Sequence, residues 1–135
     1  MIPVYMSSKH DPENGTIGDC FRACLASLLE LPIEEGPHFL YDNCDAPTFN
    51  GRVSKFLNSI GYWIVCVPAF DLATYMKEIG SQDTYHLISD RSPRFEDCMH
   101  AVVGRNGVVV HDPAGIDCEP LLNTSERIFE FLCKL

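Results

Sequence analysis

The sequence predicts an α+β domain. Helix-forming segments dominate the stretch before Gly61, strand-like runs dominate after it, and no alternating strand–helix–strand order links them. The clearest strands form a hairpin around Arg105-Asn106-Gly107, so the sheet is expected to be antiparallel. The chain has 135 residues, 46% of them hydrophobic, which suits a single domain over residues 1–135 with a proper core.

The elements follow in order. Ile2 to Met6 reads as a short strand, and Asp11-Pro12-Glu13-Asn14-Gly15 as turn chemistry. Asp19 to Leu31 is the strongest helix. Asp19 is its N-cap, Phe21, Cys24, Leu25, Leu28 and Leu29 recur at helical spacing, and Pro32 ends it. Ile33-Glu34-Glu35 starts a short second helix that Gly36-Pro37 stops. After a polar loop, Tyr41 to Ala46, a helix runs from Pro47 to Ile60. Phe49, Val53, Phe56, Leu57 and Ile60 form its apolar stripe, and Gly61 stops it. Tyr62 to Val67 is a strand ended by Pro68, with Tyr62 and Trp63 as core and edge packing. Asp71 to Ile79 reads as a short helix, Tyr85 to Ser89 as a strand, and Asp90 to Asp97 as a polar loop. The hairpin strands are Met99 to Gly104 and Val108 to Asp112, broken off by Pro113-Ala114-Gly115. Glu126 to Leu135 closes the chain as a helix or strand, with helix preferred.

Charge and cysteine usage exclude several function classes. Ten Lys+Arg against 19 Asp+Glu give a net charge of −9, which argues against a nucleic-acid surface. The acidic residues are spread along the chain and read as a solvated surface. No run approaches the ~20 apolar residues of a membrane span. Met1 to Asp11 lacks a basic region followed by an apolar core, so a signal peptide is not expected. Seven cysteines, an odd number, suit reduced thiols in the cytoplasm better than a disulfide framework. Cys66 and Cys133 lie in apolar runs and are expected to be small buried hydrophobes.

The chemistry centres on Cys20. It follows Asp19 and enters the first turn of the strongest helix, where free N–H groups and the positive end of the dipole stabilise a thiolate. The hairpin supplies its partners. With Arg105-Asn106-Gly107 as a three-residue loop, Gly104 pairs with Val108, Val102 with Val110, and His100 with Asp112, all on one face. Directly opposed side chains have Cβ atoms roughly 4.5–5.5 Å apart, close enough for the carboxylate to orient the imidazole. A two-residue Asn106-Gly107 loop would shift the pairing by one and send Asp112 to the other face. His111 then points away from His100 and reads as structural. His86, on a strand without an evident carboxylate partner, is the rival base. Cys20 and Cys24 share a helix face, but without Cys-x-x-Cys or clustered His a zinc site is not expected, and Cys24 reads as core. His38 is assigned no chemistry, and no cofactor is implied.

A cysteine at a helix start, followed by His and Asp on adjacent strands, resembles the papain-like cysteine peptidases. It is most similar to the small bacteriocin-leader-processing (double-glycine) peptidases and related phage and bacterial proteins. The matching pieces are Gly18-Asp19-Cys20-Phe21-Arg22-Ala23-Cys24-Leu25-Ala26, His100-Ala101-Val102-Val103-Gly104 and Val110-His111-Asp112-Pro113. The resemblance implies a compact papain-like fold, with the Cys20 helix packed on a small antiparallel sheet carrying His100 and Asp112. It also implies a thiol hydrolase acting on a peptide, isopeptide or related amide bond, and its phage relatives suggest a phage-encoded enzyme directed at a host protein. The expected partner is a protein or peptide substrate. In the family, the residue six before the nucleophile is usually a Gln whose amide joins the oxyanion hole. Here it is Asn14, which resemblance makes an oxyanion donor beside the Cys20 N–H and local chemistry makes a turn residue. Phe21 stands where the family often has Gly and is expected to narrow or reshape the pocket. Two alternatives remain: an acyltransferase or transglutaminase-like enzyme with the same triad, and a catalytically silent papain-like binding or inhibitor protein.

Overall fold

Apolar alternation along five segments builds one antiparallel sheet. The computed structural model describes residues 1–78, 83–116 and 119–135. The strands are β1 (Tyr62–Pro68), β2 (Tyr85–Arg91), β3 (Met99–Arg105), β4 (Val108–His111) and β5 (Ile128–Lys134), in spatial order β1-β5-β2-β3-β4. The helices are α1 (Cys20–Leu29), α2 (Ala46–Ser59) and α3 (Leu72–Glu78). The α+β class stands. No helix among the described residues is long and apolar enough to cross a membrane.

Each face of the sheet carries its own core. On one face Phe21, Cys24 and Leu25 of α1 and Val53 and Leu57 of α2 pack on Leu87, Ala101 and Val103. On the other, Leu72, Tyr75 and Met76 of α3 and the loop residue Leu121 cover Ile88, Val102, Phe129 and Phe131. The period of two along β3 therefore feeds both layers: Ala101 and Val103 look towards α1, and Val102 looks away.

Several expectations are corrected. Residues 128–134 form a strand, not a helix, because β5 fills the gap between β1 and β2 and pairs with both. Its alternation serves both layers, with Phe129 and Phe131 on the α3 side. Ile2 to Met6 is an extended strap, not a sheet strand. Its backbone is tied down by Ile2 N–H to Ser27 O (3.2 Å), Val4 N–H to Ser27 Oγ (2.9 Å) and Met6 N–H to Pro113 O (2.9 Å). Asp90 and Arg91 extend β2 and are not loop residues. Asp19, Asp90 and Glu130 are buried, so the acidic residues are not all a solvated surface. Asp90 accepts from Thr124 N–H, Thr124 Oγ and Arg127 Nε, and so pins the loop before β5. Cys66 is exposed on the edge strand β1, and Ile60 and Trp63 are also exposed. Ile79, the expected end of the third helix, lies outside the described residues.

The hairpin differs from expectation in an instructive way. Its loop has two residues: Asn106 (φ 53°) and Gly107 (φ 84°) are both left-handed, as a type I′ turn requires. Arg105 pairs with Val108 and Gly104 with Val109. The register then slips, because Val103 pairs with His111 and leaves Val110 as an extra residue in a β-bulge. Gly104 faces no free space: a Cβ there would lie 2.6 Å from His86 Cε1 and 2.7 Å from Ile88 Cδ1.

Candidate active site

The site assembles where the N-terminus of α1 meets the first residues of β3. Asp19 precedes the helix, but its carboxylate is spent on the N-terminal strap. It accepts from Ser7 N–H (3.1 Å), Ser7 Oγ (2.6 Å), Ser8 N–H (3.0 Å) and Arg22 (3.3 Å). It therefore makes no side-chain cap to α1. The Cys20 N–H takes no acceptor among the described residues, so an unsatisfied donor sits on Cys20 itself.

His100 is the second residue of β3 and is nearly buried. Its Nε2–H donates to Asp112 Oδ1 at 2.7 Å. The Ala114 N–H donates to the same oxygen at 3.0 Å and fixes the carboxylate from the turn that follows β4. Asp112 Oδ2 has no hydrogen bond among the described residues, and Arg94 approaches it to 3.9 Å. With Nε2 committed to Asp112, Nδ1 is the ring nitrogen left for the Cys20 thiol, which lines the same cavity. Burial alone would lower the His100 pKa, but the Asp112 hydrogen bond and the nearby Cys20 side chain outweigh it and hold the imidazole at about 9. Burial pushes Asp112 up, but the His100 bond, the Ala114 N–H and Arg94 bring it below the ordinary value. Both shifts favour an imidazolium–carboxylate pair. An imidazole held this way can take a thiol proton and keep it.

Cys20 and His100 open onto a cavity of about 300 Å³. Its apolar walls include Met6, Ile17, Leu40 and Phe95, and Lys9 and Arg94 bring positive charge.

Three of the four sequence-derived site residues come together: Cys20, His100 and Asp112. Asn14 does not join them. It is exposed in a 3₁₀ turn, its Nδ2–H donates to Asp11 Oδ2 at 2.7 Å, and it does not line the cavity. Its local role as a turn residue wins because Asp11, three residues away, is the nearer acceptor. Phe21 does not shape the pocket either. It points into the core, edge-on to Phe49 (5.0 Å) and Phe39 (6.2 Å).

The other histidines have structural partners. His86 is fully buried, accepts from Gly107 N–H at 2.9 Å and lies 4.9 Å from the Phe131 ring, so it is no rival base. His111 donates to Val4 O at 2.8 Å, and His38 donates to Ile17 O at 3.0 Å. Cys24 is in the core, and among the described residues no group of three or more His, Cys, Asp or Glu is arranged to hold a metal ion. Sequence reasoning missed His10 and Cys98, which line the cavity with Nε2 and Sγ 3.4 Å apart. Cys98 carried one usable signal, since it lies two residues before His100, on the same side of the extended chain. Compared with protein-family models, curated proteins and solved structures, the chain matches none of them.

Proposed function

We propose that the protein is a thiol hydrolase that cleaves a peptide, isopeptide or related amide bond in a protein or peptide substrate. The single observation that carries this reading is His100, hydrogen-bonded to Asp112 through Nε2 and lining one cavity with Cys20. The order of Cys20 on a helix start, His100 on a strand and Asp112 after the next strand supports a papain-like relationship.

In this mechanism the Cys20 thiolate attacks the carbonyl carbon and its π electrons move to the oxygen. The Cys20 N–H, at the open end of α1, donates to that oxyanion. Collapse expels the amine, which takes its proton from the His100 imidazolium and leaves an acyl thioester on Cys20. His100 then takes a proton from water, and the hydroxide so formed releases the carboxylic acid and returns Cys20. Asp112 stays ionised and keeps Nε2–H in place, which leaves Nδ1 to work on the thiol. Asn14 takes no part.

The test is the pH profile of Cys20 alkylation by iodoacetamide, mapped by mass spectrometry in the native protein and in His100→Ala. Cys20 labelled ahead of the other thiols below about pH 7, and no longer so in His100→Ala, supports the reading. Ordinary thiol behaviour in both proteins removes it. One observation favours a second reading: with Asn14 turned to Asp11, no side-chain amide from the expected position reaches the site. That outcome would select a catalytically silent papain-like binding protein.

A further inference from the structure

Two short segments lead into the two reacting residues. Gly18 precedes Cys20 by two positions, and Cys98 precedes His100 by two. The ring of His10 stands between these segments. The Gly18 N–H donates to His10 Nδ1 at 3.4 Å, and His10 Nε2 lies 3.4 Å from Cys98 Sγ. A backbone amide can only donate, so Nδ1 carries no proton there and the ring hydrogen sits on Nε2, pointing at sulfur. Phe95 meets the same ring edge-on, with centroids 4.7 Å apart.

Both segments are stiff. On the cysteine side, Asp19 N–H donates to Ser8 O at 3.1 Å, and Ser8 Oγ donates to Ile17 O at 2.9 Å. Gly18 itself is wedged: a Cβ would lie 2.9 Å from Met6 Cε and 3.1 Å from both His10 Cβ and His10 N. On the histidine side, Ser92 N–H donates to Cys98 O at 2.8 Å, and Ser92 Oγ accepts from Arg94 and Phe95 N–H. Packing of Cys24 and Leu25 on Ala101 and Val103 sets the distance between α1 and β3 in the core. The His10 ring sets it again at the cavity end, where the reaction takes place.

We infer that His10 is a positioning residue: bridging Gly18 and Cys98, its ring fixes the separation of Cys20 and His100. The inference rests on the thiol-hydrolase reading for its purpose, and on the bridge itself for its structure. It explains why an imidazole is placed here: one ring offers an acceptor and a donor on opposite edges, where Phe offers neither.

The test uses the whole protein. His10→Phe keeps the ring and its Phe95 contact and removes both hydrogen bonds. It is expected to raise the midpoint pH of Cys20 alkylation by about one unit and slow labelling at pH 6.5 about tenfold. The ¹⁵N signals of the His100 ring are expected to move with it. Cys98→Ala removes half the bridge and is expected to fall between, while Cys98→Ser, whose hydroxyl accepts the same bond, recovers most of the difference. If His10→Phe fails to fold, the Ala–Ser pair at Cys98 decides alone. A native alkylation profile with unmoved His100 signals in His10→Phe, or equal behaviour of Cys98→Ala and Cys98→Ser, overturns the inference. The His100 signals report on the bridge whether or not Cys20 proves reactive. Failure of the bridge is thereby distinguished from failure of the proposed activity.

Discussion

His100 Nε2 lies 2.7 Å from Asp112 Oδ1, although the two residues are not cross-strand partners. A two-residue turn by itself would place Asp112 on the opposite side of the ribbon. The extra residue Val110 restores the alternation: Val103 faces His111, so Asp112, one step beyond the strand, falls on the side of His100. The bulge is thus the element that brings Asp112 to His100.

Deleting Val110 is therefore expected to keep the type I′ turn and separate His100 from Asp112. Cys20 alkylation should lose its His100 dependence, as in Asp112→Ala, while the far-ultraviolet circular dichroism remains that of an α+β protein. Retention of the His100 dependence would show that Asp112 reaches the ring by another route.

The same pair makes stability depend on pH in a definite direction. The His100 pKa rises from 6.5 to about 9 in the fold, so its contribution is complete below pH 6.5 and is lost as pH rises through about 9. Asp112 is lowered from 3.8, so its contribution is present above that value and is lost as pH falls below it. The unfolding free energy of the native protein minus that of Asp112→Asn should form a plateau between these limits and shrink on both sides. Urea titrations at pH 3.5, 5.5, 7.5 and 9.5 would measure it.

Glu130 carries the opposite sign. It lies buried under α1 with Ser89 Oγ at 2.7 Å, and burial raises its pKa from 4.5 to about 7 despite that bond. The folded chain holds this proton where the unfolded chain has released it, so stability falls as pH rises from 4.5 to about 7. Glu130→Gln keeps the shape and can still bond Ser89. It should be close to neutral at pH 4.5 and stabilising at pH 8, as read by thermal unfolding at the two values.

Gly104→Ala tests the close approach of β2 and β3. The added methyl would stand 2.6 Å from His86 Cε1 and 2.7 Å from Ile88 Cδ1, both in the packed interior. The expected loss is about 1–3 kcal/mol, seen as a lower urea midpoint with unchanged slope. Cys20 reactivity in the folded fraction should persist, because the strain lies beside His86 and not beside His100.

What could be read in advance follows the range of the interactions. α1 and α2 were legible because Leu25, Val53 and Leu57 repeat at helical spacing and each repeat reports on one face. The Cys20, His100 and Asp112 set was legible because two of its members lie within one hairpin. The bulge was not: no residue type marks Val110 as extra, and the turn alone argued for the wrong face. β5 was misread because Phe129-Glu130-Phe131-Leu132 suits either state until its place between β1 and β2 is known. Asn14 was misplaced because resemblance outranked a nearby acceptor, Asp11, that the local sequence displayed. His10 and Cys98 meet across 88 positions, a distance over which spacing rules say nothing.

The N-terminal strap has a consequence for biosynthesis. Val4 O accepts from His111 Nε2, Met6 N–H donates to Pro113 O, and Ser7 and Ser8 hold the carboxylate of Asp19, the residue before the Cys20 helix. The strap leaves the ribosome well before its partners, since Val4 and His111 are 107 residues apart. At ~5–20 residues per second, seconds pass before the strap can dock. A nascent chain carries Cys20 throughout that interval without a finished cleft around it. Cys20, His100 and Asp112 can come together only after synthesis has passed Pro113, so the cavity at the α1 N-terminus is closed by late-emerging strands.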